Sequence, residues 1–146
     1  MEIKIVDNYD MLAECYKIRN DVFSVEQGVP SELDKDEFDI IDSNKSIHIL
    51  TYEDNLPIGT SRLKYISKDT VQLNRVAVSK NYRGKSVGEK MLIFLENYSK
   101  EKGYSYVYVE AQMQAKRFYE KCGYFSLDRN PFLDAGILHI AMKKLL

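Results

Sequence analysis

Between Ile47 and Val78 the chain passes through three alternating segments, Ile47 to Glu53, Leu56 to Ile66 and Thr70 to Val78, separated only by Asp54-Asn55 and Ser67-Lys68-Asp69. Connections this short join antiparallel neighbours, because a parallel crossover needs about a dozen residues or more. The middle of the protein is therefore expected to be an antiparallel meander, which does not suit a wholly parallel nucleotide-binding sheet. Before it come a strand at Glu2 to Val6 and a helix whose apolar face is Met11, Cys15, Ile18 and Val22. After it, a helix from about Val87 to Lys102 opens on Ser86-x-x-Glu89, the pattern of a capping box, and stops at Gly103. A strand at Tyr104 to Glu110 leads to a helical stripe of Ala115, Phe118, Tyr119 and Cys122, and strands at about Tyr124 to Leu127 and Ile137 to Lys143 end the chain. The order β-α-β-β-β-α-β-α-β-β predicts an α/β (α+β) fold: a mixed, mostly antiparallel sheet of six to seven strands with helices on its faces.

With 146 residues, 45% of them apolar, the chain buries enough surface to form one domain over residues 1–146 without disulfides or a structural metal. Its 21 basic and 22 acidic residues leave a net charge of -1, so attraction of the whole molecule to nucleic acid or an anionic membrane has no support and any anion site must be local. No window approaches the ~18 apolar residues of a membrane span, and the start Met-Glu-Ile-Lys-Ile-Val lacks a signal-peptide core, so a cytoplasmic protein is expected. Cys15 and Cys122 form no CxxC pair and fall at core-facing helical positions, where structural thiols are expected. The acidic stretch Glu26 to Ser46 carries Glu32, Asp34, Asp36, Glu37, Asp39 and Asp42 against Lys35 and Lys45. It lacks the fifth-position oxygen and sixth-position Gly of a calcium loop, so no metal is expected; it reads as a solvated acidic face.

Two features are more specific. In Thr70 to Val78 the apolar residues Val71 and Leu73 give way to Val76 and Val78, so the period-2 face changes parity. Either a β-bulge intervenes, freeing a backbone N–H, or the strand is buried on both faces. The loop Asn81-Tyr82-Arg83-Gly84-Lys85-Ser86-Val87-Gly88 then opens into a helix, where unpaired N–H groups, the helix dipole and two basic residues favour an anion. Gly84-Lys85-Ser86 mimics the end of a Walker A motif, but Ser79 stands where that motif needs its first Gly.

Taken together, Leu73-Asn74-Arg75-Val76-Ala77-Val78, Arg83-Gly84-Lys85-Ser86-Val87-Gly88 and Ala115-Lys116-Arg117-Phe118-Tyr119-Glu120-Lys121-Cys122-Gly123-Tyr124 resemble the Gcn5-related N-acetyltransferases (GNAT). Val22 to Pro30 and the acidic stretch after it resemble a bacterial branch of that family that includes ElaA-like and YjcF-like proteins. The resemblance implies a GNAT fold whose sheet splays between strands 4 and 5, acetyl-CoA as co-substrate, and direct acetyl transfer to a small primary amine of the amino-acid, amino-sugar or polyamine type. It implies pyrophosphate contacts at Arg83, Gly84, Lys85, Ser86, Val87 and Gly88, a pantetheine track beside Val76, Ala77 and Val78, and a Val76 N–H that polarises the acetyl oxygen. Gln112 stands where many relatives place an Asn, and Ser86 where they place a third Gly.

Tyr119 matches the family's usual general acid, with a core aromatic as the alternative reading. Several relatives carry a glutamate on the strand before the bulge, where this chain has Gln72-Leu73-Asn74, so the resemblance implies a base elsewhere, for which Glu110, directly or through water, and Glu26 are the candidates. Glu26, Gln27, Arg75 and His139 are the candidate acceptor-side residues; Arg75 either binds an acceptor carboxylate or stabilises the acidic loop, and His48 and His139, each in an alternating strand, read as structural rather than as a base, His139 being the likelier site member. A homodimer fits the resemblance. Two alternatives stand beside the enzyme: a non-catalytic acyl-CoA-binding sensor, and an acetyltransferase for a protein lysine or N-terminus.

Overall fold

The structure is a computed structural model that describes residues 1–42 and 44–146; Ser43, inside the acidic stretch, lies outside the described residues. Eight strands form one sheet: β1 Glu2–Ile5, β2 Ser46–Glu53, β3 Leu56–Tyr65, β4 Thr70–Val78, β5 Tyr106–Gln112, β6 Phe125–Ser126, β7 Phe132–Asp134 and β8 Ile137–Leu145. Their order is β1-β2-β3-β4-β5-β8-β6, with β7 also pairing β8. All neighbours are antiparallel except β4 and β5. The strand added to the sequence expectation is β7, three residues long, too short to carry a period of its own.

Helix α1, Tyr9–Arg19, covers one face of the sheet, and α2, Val87–Glu101, with the short α3, Lys116–Lys121, covers the other. The alternation in β2 explains how both faces are served: Ile47 and Ile49 join Met91, Leu92 and Leu95 of α2, whereas Leu50 joins Leu12, Cys15 and Ile18 of α1. Burial drives the Cys15 thiol up to about 11, as suits a structural cysteine, while Cys122 is only half-buried. Past Arg19, α1 widens into a π-helical turn over Asn20–Glu26.

On the α1 face the acidic stretch is folded inward by arginines. Arg19, fully buried on the helix, donates Nε to the Asp34 carboxylate (3.0 Å) and Nη1 to Asp39 (2.7 Å). Arg62 of β3 donates to Asp36 (2.7 Å) and Asp39 (3.0 Å). Arg75 donates Nε to the Asp34 carbonyl (3.0 Å) and lies 3.5 Å from Asp36. Three carboxylates are thus matched by three guanidinium groups, which corrects the picture of a solvated acidic face at these positions, and Arg75 braces the loop. Burial opposes ionisation of Asp39, but its arginine partners prevail and hold its carboxyl down to about 2.

His48 sits behind this cluster, buried, its Nε2 donating to the Phe38 carbonyl at 3.2 Å and its Nδ1 without a partner. Burial pulls its pKa down from 6.5 to about 4. Below pH 6.5 the unfolded chain gains a proton that the folded chain refuses until about pH 4, so stability falls as pH drops through that window. The His48 share of this fall is expected to reach roughly 3 kcal/mol. Urea unfolding of the parent and of His48→Gln at pH 7 and pH 4.5 checks it, and equal losses in the two proteins would remove His48 as the cause.

Candidate active site

β4 and β5 pair from Thr70↔Tyr106 to Leu73↔Val109 and then separate. The separation follows from β4. Its register with β3 passes from Asn74↔Arg62 to Ala77↔Thr60, leaving Arg75 and Val76 together opposite Ser61. Arg75 adopts φ 53°, a left-handed conformation that an arginine holds only where its surroundings fix it; here the fixing contacts are those to Asp34 and Asp36. The parity change is therefore a bulge, and Val76 has no paired residue on either side. A cleft of about 830 Å³ opens where the strands part, lined by Asn74 to Val78 on one side and Val109 to Gln112 on the other. Its size is that of a small-molecule or cofactor site.

The loop after β4 forms one end of the cleft. Gly84 has φ 76° and Ser86 has φ 63°. In that conformation the Ser86 hydroxyl makes no cap hydrogen bond, so the expected capping box is absent and the first N–H groups of the 15-residue α2 keep no side-chain acceptor among the described residues. An open helix N-terminus of this kind suits a phosphate. Gly88 meets a packing demand as well, since a Cβ there would approach the Phe118 ring to 3.1 Å.

Arg83 and Glu26 form a two-pronged ion pair, both contacts 2.7 Å, and Arg83 Nε donates to the Val78 carbonyl at 2.9 Å. The Arg83 hydrogen bonds hold the Glu26 carboxyl below the usual range. Glu26 does not line the cleft, so of the two carboxylates considered as base only Glu110 is in it. Lys85 also stands outside, its Nζ 5.5 Å from the centre of the Tyr82 ring.

Glu110 is exposed at the parting of the strands and accepts a hydrogen bond from Gln72 Nε2 at 3.2 Å. Gln112 exchanges amide hydrogen bonds with Gln27 (2.9 and 3.1 Å), tying the segment after α1 to the end of β5, and also accepts from Gln114 (2.9 Å). His139 lies directly across the ladder from Gln112, on the same face. On the opposite face Tyr119 is buried between Phe118 and Tyr124, edge-on to both at 5.1 and 5.5 Å, and its ring lines the cleft. Burial raises its phenol above the ordinary value of 10, so the hydroxyl stays protonated and can donate.

Lys64 also lines the cleft, as do Gln72 and Asn74, which are set aside above only as bases. Their signal was present as period-2 alternation placing Gln72 and Asn74 on the face opposite Val71 and Leu73.

A family model described as Acetyltransferase (GNAT) family matches residues 9–124. The chain is 37% identical over 145 residues to the uncharacterized N-acetyltransferase YjcF of Bacillus subtilis (strain 168), covering 99% of each. It superposes on the crystal structure of Escherichia coli ElaA with a TM-score of 0.82, 27% identity and 99% of each chain covered. The PaiA N-acetyltransferase of Thermoplasma acidophilum, solved in complex with coenzyme A, has the same fold, with a TM-score of 0.74 at 19% identity over the full length of both chains.

Proposed function

Because the chain belongs to the acetyltransferase (GNAT) family, as an acyl-CoA-dependent N-acetyltransferase, we propose that it moves an acetyl group from acetyl-CoA directly to the nitrogen of a small primary amine. The observation that carries this reading is the parting of β4 from β5 beyond Leu73 and Val109, with the Arg75-Val76 bulge on its rim. The uncapped N-terminus of α2 fits a diphosphate, and the bare edge of β4 from Val76 to Val78 fits an extended amide-bearing arm. When bound there, acetyl-CoA supplies a thioester carbonyl open to attack by an amine.

The protein's own residues then divide the work. The unpaired Val76 N–H faces the carbonyl oxygen and stabilises the charge that develops on it. Tyr119 donates its proton toward the departing sulfur. Glu110 supplies negative charge that draws in a cationic amine, and the Gln27-Gln112 pair narrows the acceptor side to small molecules. Arg83, held by Glu26, lines the end of the cleft assigned to the phosphates.

Calorimetry with coenzyme A, followed by an acetyl-CoA consumption assay on spermidine, glucosamine and L-lysine with mass detection of product, tests the reading. One-to-one binding and an acetylated amine are expected. Binding with no thiol released from any amine would instead favour a non-catalytic sensor, and no heat of binding would overturn the proposed cleft assignment.

A further inference from the structure

The geometry points to His139 as the group that takes the proton from the incoming amine, a role that rests on the amine-acetylation reading above. The ring is held in one tautomer. Its Nδ1 lies 2.7 Å from the Ile137 carbonyl, and a carbonyl oxygen only accepts, so the proton is on Nδ1 and the lone pair is on Nε2. The ring cannot readily turn to exchange the two nitrogens. It stacks on Phe132 with centroids 5.8 Å apart and planes 23° apart. That stack is fixed by register: β7 and β8 join through Ala135-Gly136, both at positive φ (49° and 76°), a tight primed turn that sets Phe132 opposite His139.

The free nitrogen opens onto the cleft. His139 lines it while being only 9% exposed. Among the described residues the polar side-chain atoms sealed from solvent without a partner are Ser24 Oγ, His48 Nδ1 and Thr51 Oγ1, and His139 Nε2 is not one of them. Gln112 is its direct cross-strand neighbour and Glu110 the diagonal one, placing the ring on the same face of the sheet as the carboxylate that draws in the amine. The other charged groups lining the cleft are Asp134 of β7, Asp34 and Asp36 of the acidic segment, Lys64 of β3, Arg75 of β4, Arg83 of the loop after β4 and Glu89 of α2. Arg75, Asp34 and Asp36 are already committed to one another. Glu110 is exposed and engaged by Gln72, and a carboxylate is ordinarily a weaker base than an imidazole.

The proton balance is as follows. Nε2 accepts one N–H proton from the ammonium form of the amine, leaving a lone pair on nitrogen. That pair forms the C–N bond as the carbonyl π electrons move to oxygen; the C–S bond then breaks, its pair staying on sulfur, which takes a proton from Tyr119. A second nitrogen proton returns to the Tyr119 oxygen, and the imidazolium releases its proton to solvent, one proton per acetyl group transferred.

Two measurements on the full chain test the role. In His139→Gln, kcat/KM for the panel amine the parent uses fastest is expected to fall on the order of 10²–10⁴-fold at pH 7, with coenzyme A affinity unchanged within about twofold. In His139→Ala, added imidazole is expected to restore part of the rate in proportion to its neutral form. Nitrogen-15 spectra of the unmutated protein supply the check that survives a folding failure: His139 is expected as the Nδ1–H tautomer and His48, bonded through Nε2, as the opposite one. An Nε2–H tautomer at His139, or a His139→Gln rate within about threefold of an active parent, overturns the role while leaving the enzyme reading intact. A parent that binds coenzyme A but acetylates none of the amines overturns both.

Discussion

Arg19→Leu is expected to lower the free energy of unfolding by roughly 3–5 kcal/mol, the cost typical of removing one partner from a buried ion pair. The reason lies in what the substitution leaves behind. Arg19 is 1% exposed and spends its whole guanidinium on the acidic segment: Nε on the Asp34 carboxylate, Nη1 and Nη2 on Asp39 at 2.7 and 3.0 Å, and Nη2 again on the Asp34 carbonyl at 2.8 Å. Leucine would fit among Leu12, Cys15 and Ile18 but would leave the buried carboxylates of Asp34 and Asp39 with only Arg75 and Arg62 as cationic partners. Arg19→Lys keeps the charge without the fork and is expected to fall between parent and leucine variant. The acid side follows with a definite sign. Asp39, held down to about 2, contributes stability that is present above its unfolded value of 3.8 and is lost as pH falls from there toward 2. Urea unfolding at pH 7 measures the main effect. A loss below about 1 kcal/mol would mean that the cluster contributes little to the fold.

Tyr119→Phe is expected to reduce turnover of acetyl-CoA on the order of 10²–10³-fold while coenzyme A affinity stays within about twofold. The phenyl ring keeps the edge-on contacts to Phe118 and Tyr124, so the substitution removes only the hydroxyl. Its buried phenol, raised above 10, is a proton donor across the working pH range. Steady-state kinetics with the panel amine the parent uses fastest give the comparison. A rate within about threefold of the parent would reduce Tyr119 to a core aromatic, the alternative its position on the apolar stripe allows.

Both expectations depend on structure that was legible to different degrees beforehand. The apolar stripe of α1, the boundaries of α2 and the meander β2-β3-β4 follow from patterns of two to four residues, since the side-chain period of an element is fixed by its own backbone. The parity change between Leu73 and Val76 belongs to the same class, and it becomes the bulge that opens the site. The loop proposed to hold phosphate was legible as composition, but not in its conformation: the capping box read from Ser86-x-x-Glu89 fails because Ser86 is left-handed, and a left-handed residue points its hydroxyl away from the N–H groups it would cap.

What the sequence by itself determined was the order of elements, the face each one buries, and the place on β4 where the alternation changes parity; these are local consequences of alternation and turn chemistry. Only the tertiary structure decided which charges remain available. Glu26 is taken up by Arg83, 57 positions away, Arg75 by Asp34, 41 positions away, and the His139 tautomer by a hairpin register. A carboxylate or an imidazole has no period, and its chemistry is set by whichever partner the fold brings within about 3 Å, so its state is decided where distant segments meet.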